Sequence, residues 1–433
     1  MQLNNKKLKN TECIRNSKEK IKIHIIGAGI SGLIAAKVLE ESGYSPTLIE
    51  SSNDVGGRIK TFIKEGYQLD RGFQVLLTEY PQAKKHLDYK ALKLQKLVSG
   101  SSIFIKNKQF IIGNPIRNIS MLIPTLFSDI GSVSDKLKIF KLYLYLRFKS
   151  IEKIFLSKEL KTIDYLKKLG FSKKIINGFF KPFFAGIFLE TELSTSSRMF
   201  EFVFKMFALG DVAIPESGIQ EIPYQIAKKL TKTNFIFNSE VDKISDGEII
   251  LKNKIKIKSD YTIIATEVKN LIDGHNCSSV KWKSCINFYF ETDKKSLLGG
   301  VIGLVPGNNT VINNIFFVSG IKSKITGPKE LLSVTVIDAK SFSDVDLIER
   351  VKYELKKYCS INVIRLISQF NIPKSLPDLS DISHTKTLSE FQISDGIFLA
   401  GDHRLNGSLN AAITSGEMAA SQLIQIDKLN YSN

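Results

Sequence analysis

The period of the apolar positions changes several times along the 433-residue chain. Ile23 to Ile26 is a short β-branched run that reads as a buried strand. From Leu33 through Ala36 to Leu39 the apolar residues recur at helical spacing, with Gly43 as a stop. Residues 45–49 form a second short strand pattern ending at Glu50, and 59–62 and 66–75 read as further extended segments. Pro81, Ala83, Leu87, Ala91 and Leu94 predict a helix. Residues 102–112 alternate as a hairpin turning at Lys106-Asn107, and 116–131, with Pro124 inside it, opens a helical region. Leu137, Phe140, Leu144, Phe148 and Ile151 make 135–155 an amphipathic helix, and Thr162 caps another that runs to Leu169 and stops at Gly170.

Residues 178–209 break the periodicity, with many phenylalanines at irregular spacing around Pro182. Three uses fit them: core around a helical hairpin, the lining of a pocket for a long apolar substrate, or a patch in peripheral contact with a membrane. Beyond Ile214 short strand patterns resume at 235–237, 241–244, 249–257 and 261–266. Residues 284–291, 301–305, 314–318 and 332–337 are strand-like, 345–358 is helical, and 396–400 is a strand before a glycine-rich turn. Strand and helix patterns alternate at both ends of the chain, and antiparallel patterns dominate 271–384. That arrangement predicts an α/β fold with an inserted α+β part.

Composition narrows the class. The chain is 43% hydrophobic, which is globular, and long enough for two domains. Lys and Arg number 61 against 43 Asp and Glu, a formal charge of +18. The excess is read as scattered lysine with no zinc-finger spacing or other nucleic-acid module, so a nucleic-acid partner is not expected. Cys13, Cys277, Cys285 and Cys359 form no CxxC pair and fit free thiols of a reducing compartment. Residues 1–20 are polar, read as a flexible tail, and lack the apolar core of a secretory signal. No apolar run reaches the length of a membrane span. The expected location is cytoplasmic, with membrane association at most peripheral. His24, His86, His275, His384 and His403 show no ligand spacing, and no metal is expected.

The first strand-to-helix junction carries the chemistry. Gly27 permits a tight turn, Gly29 lets backbone approach a pyrophosphate, and Gly32 lets helix pack close on strand. The helix N-terminus offers N–H groups to phosphate. Glu50 sits where a ribose hydroxyl is held and repels an added phosphate, so FAD or NAD is favoured over NADP.

Gly56-Gly57-Arg58 after that acid resembles the GGR motif of the flavin amine oxidase superfamily, which includes amine oxidases, protoporphyrinogen oxidases and carotenoid desaturases. The resemblance implies FAD, with Arg58 and the Gly57 backbone embracing the pyrophosphate and Ile30 and Ser31 at the helix start. It also implies that Gly72 passes against the flavin, that Val241 contacts the adenine, and that Ala265 and Thr266 run beside the nucleotide. The closing segment resembles the C-terminal FAD motif through Gly401, Asp402, Gly407, Ser408, Asn410, Ala412, Ser415 and Gly416, with Ala411 replacing a usual glycine. The implied architecture is a Rossmann-like FAD-binding domain of 21–78, 210–270 and 388–428. An inserted substrate domain takes 79–209 and 271–387.

In the amine oxidases of this family a lysine on a substrate-domain strand often holds a water at flavin N5. Placing the motif on 281–287 puts Ser284 at that lysine's position. The expected activity is therefore dehydrogenation of a largely apolar small organic substrate by hydride transfer to N5, as in the desaturase and protoporphyrinogen oxidase branches. Oxidation of a C–N bond is the alternative within the family. A non-catalytic prenyl or lipid binder, as in Rab escort proteins, is the alternative from another class; Arg58, Asp402 and the glycine-rich helix start speak against it. No catalytic side chain is singled out, and oxygen, quinone or a polyene each fits as electron acceptor.

Overall fold

The computed structural model describes residues 21–105, 108–113, 130–268, 271–272, 280–293, 299–307, 309–337, 339 and 342–430. The expected tail, the Lys106-Asn107 turn, most of 116–131, Cys13, Cys277 and His275 lie outside these residues.

Ile23–Ile26 is buried along its length and pairs in parallel with Thr47–Ile49 on one side and Tyr261–Ile264 on the other. Asn234–Ile236 and Ile397–Leu399 extend this parallel sheet, and Gln392–Ser394 closes one edge antiparallel. Segments almost 400 residues apart thus share one sheet. The helices Ile30–Glu41 and Leu409–Asn430 pack on it and on each other. A Cβ on Gly416 would sit 2.2 Å from the Ser31 carbonyl oxygen, so the first turn of one helix meets the second turn of the other with backbone nearly touching.

A second sheet has the strand order Val363–Asp378, Lys281–Thr292, Glu330–Ile337, Ile312–Phe317, Ile302–Leu304, Gly100–Ile105 and Lys108–Gly113. It is antiparallel except where Ile302–Leu304 runs alongside Gly100–Ile105. Phe288, Phe290, Ile315, Leu332 and Val334 form its apolar core under the Asp344–Cys359 helix.

The phenylalanine-rich stretch folds as a π-helical turn, Ile176–Phe180, continuing into Lys181–Phe188, followed by the helix Ser197–Leu209. Phe180, Phe184, Phe188 and Phe200 are fully buried against one another and Phe202 against Tyr80 and Phe155, so most of the stretch is core.

Three local expectations are corrected. The helix from Pro81 ends at His86, because Leu94–Lys96 pairs with Val212–Pro215 as a strand. Thr162 begins its helix rather than capping it, and its hydroxyl donates to the Thr195 carbonyl. The segment 135–155 is two helices, Val133–Phe148 and Ile151–Phe155, and the Leu137, Phe140, Leu144 and Phe148 stripe faces outward.

Candidate functional site

Between the two sheets lies a cavity of about 1330 Å³, larger than the ~300–1,000 Å³ typical of a site for one small ligand. One wall is built almost wholly from backbone. Gly27, at φ +103°, turns the chain out of the first strand, and its N–H donates to the Ile49 carbonyl. The helix Ile30–Glu41 then starts with neither a side-chain cap nor an acid in its first turn, leaving its N-terminal N–H groups directed at the cavity. Around Gly29 there is nothing within 4 Å of where a Cβ would sit, whereas a Cβ on Gly57 would come 3.3 Å from the Gly29 Cα. The two glycine backbones therefore pack against each other along one side of a narrow lane that both line. Gly32 does not line it; its Cβ would fall 2.0 Å from the Gly27 oxygen, so its part is close packing.

Glu50, 8% exposed, accepts the Ala28 N–H at 2.7 Å on one carboxylate oxygen. Its other oxygen takes the Ser52 N–H and hydroxyl at 2.8 Å each. At the other end of the lane Arg58 pairs with Asp402 at 2.5 Å and lies over the Trp282 ring at 5.1 Å. Val241, Ala265, Thr266, Gly72, Gly401 and Ala412 complete the lining, together with Ile30 and Ser31. Gly56, Asn410 and Ala411 stand behind it. Asn410 holds the Gln82 N–H at 3.0 Å, while its own amide nitrogen is buried without a partner among the described residues. Ser408 caps the last helix by accepting the Ala411 N–H, and no acid occupies that helix's first turn. This donor set, open at Gly29 and cationic at Arg58, fits a dinucleotide whose pyrophosphate runs past the open side of Gly29.

The facing wall is made of side chains. Lys283, Cys285, Asn314 and Thr335 line it from the antiparallel sheet, and Tyr80, Phe188, Met199 and Val203 from the helices. Ser284, expected at the lysine position, is exposed and outside the cavity. Strand alternation turns its neighbours Lys283 and Cys285 inward instead. The Lys283 ammonium, 14% exposed, donates to Glu190 at 2.7 Å and Thr195 at 3.1 Å, with Asp378 at 3.6 Å. Burial pushes the Glu190 carboxyl up, but Lys283, the Thr195 N–H and the Ser194 hydroxyl outweigh it, and the group stays below its ordinary range. Leu189 and Leu193, at φ 50° and 53°, are the left-handed residues that bracket this carboxylate. Burial raises the Cys285 thiol, which contacts the Ser375 hydroxyl, so it is no ready thiolate. His403, which shows no ligand spacing in the sequence, lines the cavity, and burial lowers its pKa and favours the neutral ring. Among the described residues no cluster of His, Cys, Asp and Glu could hold a metal ion.

A family model described as flavin containing amine oxidoreductase matches residues 30–424, from the first helix to the last. The chain belongs to that family. Membership makes it an FAD-dependent oxidoreductase at the level of the superfamily. The L-amino-acid oxidase of Echis ocellatus is 23% identical over 94% of this chain and 90% of its own length. Among solved structures, a putative protoporphyrinogen oxidase from Exiguobacterium sp. 255-15 superposes with a TM-score of 0.68 at 18% identity, covering 96% of this chain and 100% of that one. A fatty acid isomerase from P. acnes that produces CLA gives 0.71 at 15% identity, covering 93% and 98%. At such identities these structures establish the two-domain amine-oxidase architecture.

Proposed function

We propose that this family member oxidises the C–N bond of a small amphipathic amine or amino acid. The observation that carries this reading is Lys283, a largely buried ammonium that lines the cavity one residue before Ser284, the residue the sequence placed at the lysine's position. The long match to an L-amino-acid oxidase supports it.

In this reading Gly27, Gly29, Ile30, Ser31 and Gly57 hold the cofactor's pyrophosphate by backbone N–H groups, with Arg58 as countercharge. Glu50 takes the ribose, Val241 the adenine side, and Gly72, Ala265, Thr266, Gly401, Asp402 and Ala412 the remainder. FAD, when bound, supplies the two-electron acceptor that removes hydride from the substrate carbon. The protein's share is orientation and proton control. Tyr80, Phe188, Met199 and Val203 receive the apolar part of the substrate and exclude water. Lys283, held by Glu190, fixes a water near the reacting carbon for hydrolysis of the imine product to a carbonyl compound and ammonia.

The apolar wall also favours a second reading, dehydrogenation of a carbon skeleton. Anaerobic mixing of the flavin-loaded protein with amino acids, primary amines, porphyrinogens and polyenes separates the two. C–N oxidation predicts loss of flavin colour with amines or amino acids and release of ammonia. Bleaching by polyenes or porphyrinogens alone would overturn it.

A further inference from the structure

We infer that the outer face of the Val133–Phe148 helix and the turn after it form a docking surface for an anionic lipid bilayer, a property independent of the reaction assigned above. Val133, Leu137, Phe140, Leu144 and Phe148 fall on one line of the helix and are 67, 65, 49, 40 and 81% exposed; Leu156 beyond it is 83% exposed. Opposite them Leu142, Tyr143 and Leu146 are buried toward the Ser197–Leu209 helix, so the helix is apolar on both faces and, among the described residues, only the inner one is covered. Of the sixteen exposed large hydrophobic side chains among the described residues, eight lie between Val133 and Leu169. Such clustering marks an interaction surface rather than scattered exposure.

Charge selects the partner. Residues 130–175 hold twelve Lys and Arg against four Asp and Glu, so much of the chain's +18 is concentrated here. The reading of the excess as scattered lysine is corrected for this segment. Of the four acids, Asp135 is buried in its helix cap and hydrogen-bonded by Ser132 and Ser172. Lys141, Lys153 and Lys158 are exposed. An apolar stripe with a rim of lysines is the pattern of a helix lying in the headgroup layer, apolar side chains among the acyl chains and ammonium groups at the phosphates. A second copy of this chain would set these like-charged rims against each other. The surface also continues to the cavity, since Glu159, Leu160 and Lys161, just past Leu156, line it. Among the described residues no helix is long and apolar enough to cross a membrane, so contact would be one-sided.

The test is sedimentation of the full-length, flavin-loaded protein with vesicles of phosphatidylcholine alone or with added phosphatidylglycerol. Binding to the anionic vesicles, weakened by high salt, is expected. Leu137→Glu/Phe148→Glu should reduce it at least tenfold, and Lys141→Glu/Lys153→Glu should reduce it while leaving the stripe intact. Val345→Glu, at a 71% exposed apolar position on another helix, should leave it unchanged. The inference is overturned if wild-type protein stays in the supernatant with both vesicles or if neither double variant weakens binding. It is equally overturned if the wild type is a dimer that Leu137→Glu/Phe148→Glu converts to monomer, or if Val345→Glu weakens binding as much.

Discussion

The two walls of the cavity are made of different material. The nucleotide side is backbone: N–H groups at two helix starts and glycines whose missing side chains leave room. The opposite side is side chains, an ammonium–carboxylate pair among aromatic and thioether groups. A backbone wall depends on missing side chains, since an added Cβ would strike the protein at Gly32 and fill the open space at Gly29. A side-chain wall tolerates redesign of shape but depends on which strand face each residue takes. The first is therefore local in sequence, and the second is set by tertiary register.

The largest effect should come from breaking the backbone wall. Gly32→Ala places a methyl 2.0 Å from the Gly27 oxygen, forcing helix and turn apart at a cost of ~3 kcal/mol, the upper end for overpacking. The purified variant should carry no flavin colour and melt earlier than wild type. If it retains stoichiometric FAD, the close packing is not what shapes the lane. A smaller effect is expected from Glu50→Gln, which keeps the side chain's shape but weakens the charged acceptor of the Ala28 and Ser52 donors. Hydrogen bonds to a charged group contribute ~1.5–3 kcal/mol. FAD affinity measured by fluorescence titration should fall roughly ten- to hundredfold, with turnover at saturating FAD little changed.

The smallest effect on chemistry, and the sharpest control, is at the far end of the strand that carries Lys283. There Glu291, 2% exposed, is gripped by Arg365 and by the Tyr67 hydroxyl, which hold its carboxyl down at about 2. A carboxyl depressed in the folded state contributes stability that is complete above its ordinary value of about 4.5 and lost as pH falls toward 2. Denaturant unfolding between pH 6 and 3, as ~one-unit steps, should show this loss in wild type and a shallower slope in Arg365→Met. Turnover of Arg365→Met at neutral pH should match wild type. A large fall in turnover would mean that the pair reaches the cavity after all.

The same division decides what could be read from sequence. Gly27 and Gly29 were legible because each answers a local backbone requirement, and Gly57, Arg58, Gly72 and Asp402 were named through the motif resemblance; all of them line the cavity. Lys283 was missed by one residue. Irregular pairing between Lys283 and Cys285 on the partner strand shifts the register there, which no spacing rule along a single strand reveals. The partner strand itself, Val363–Asp378, went unread because Pro373 and Pro377 interrupt its pattern; it lies at the sheet edge, where proline is tolerated. Glu190 had no signal either, since what joins it to Lys283 is a fold contact across 93 residues. On the Val133–Phe148 helix the periodicity was right and the buried face wrong, because spacing alone does not say which stripe meets the core.

The most direct measurement is the rate of anaerobic flavin reduction by an amine or amino acid substrate in wild type and in Lys283→Met/Glu190→Gln, which removes both charges so that neither is left buried and unpaired. Both proteins should bind one FAD, and the variant should be reduced at least ~100-fold more slowly or release its carbonyl product that much more slowly, the scale of a lost proton-handling group. Equal rates of reduction and product release in the two proteins would contradict the assignment of the side-chain wall to the reaction.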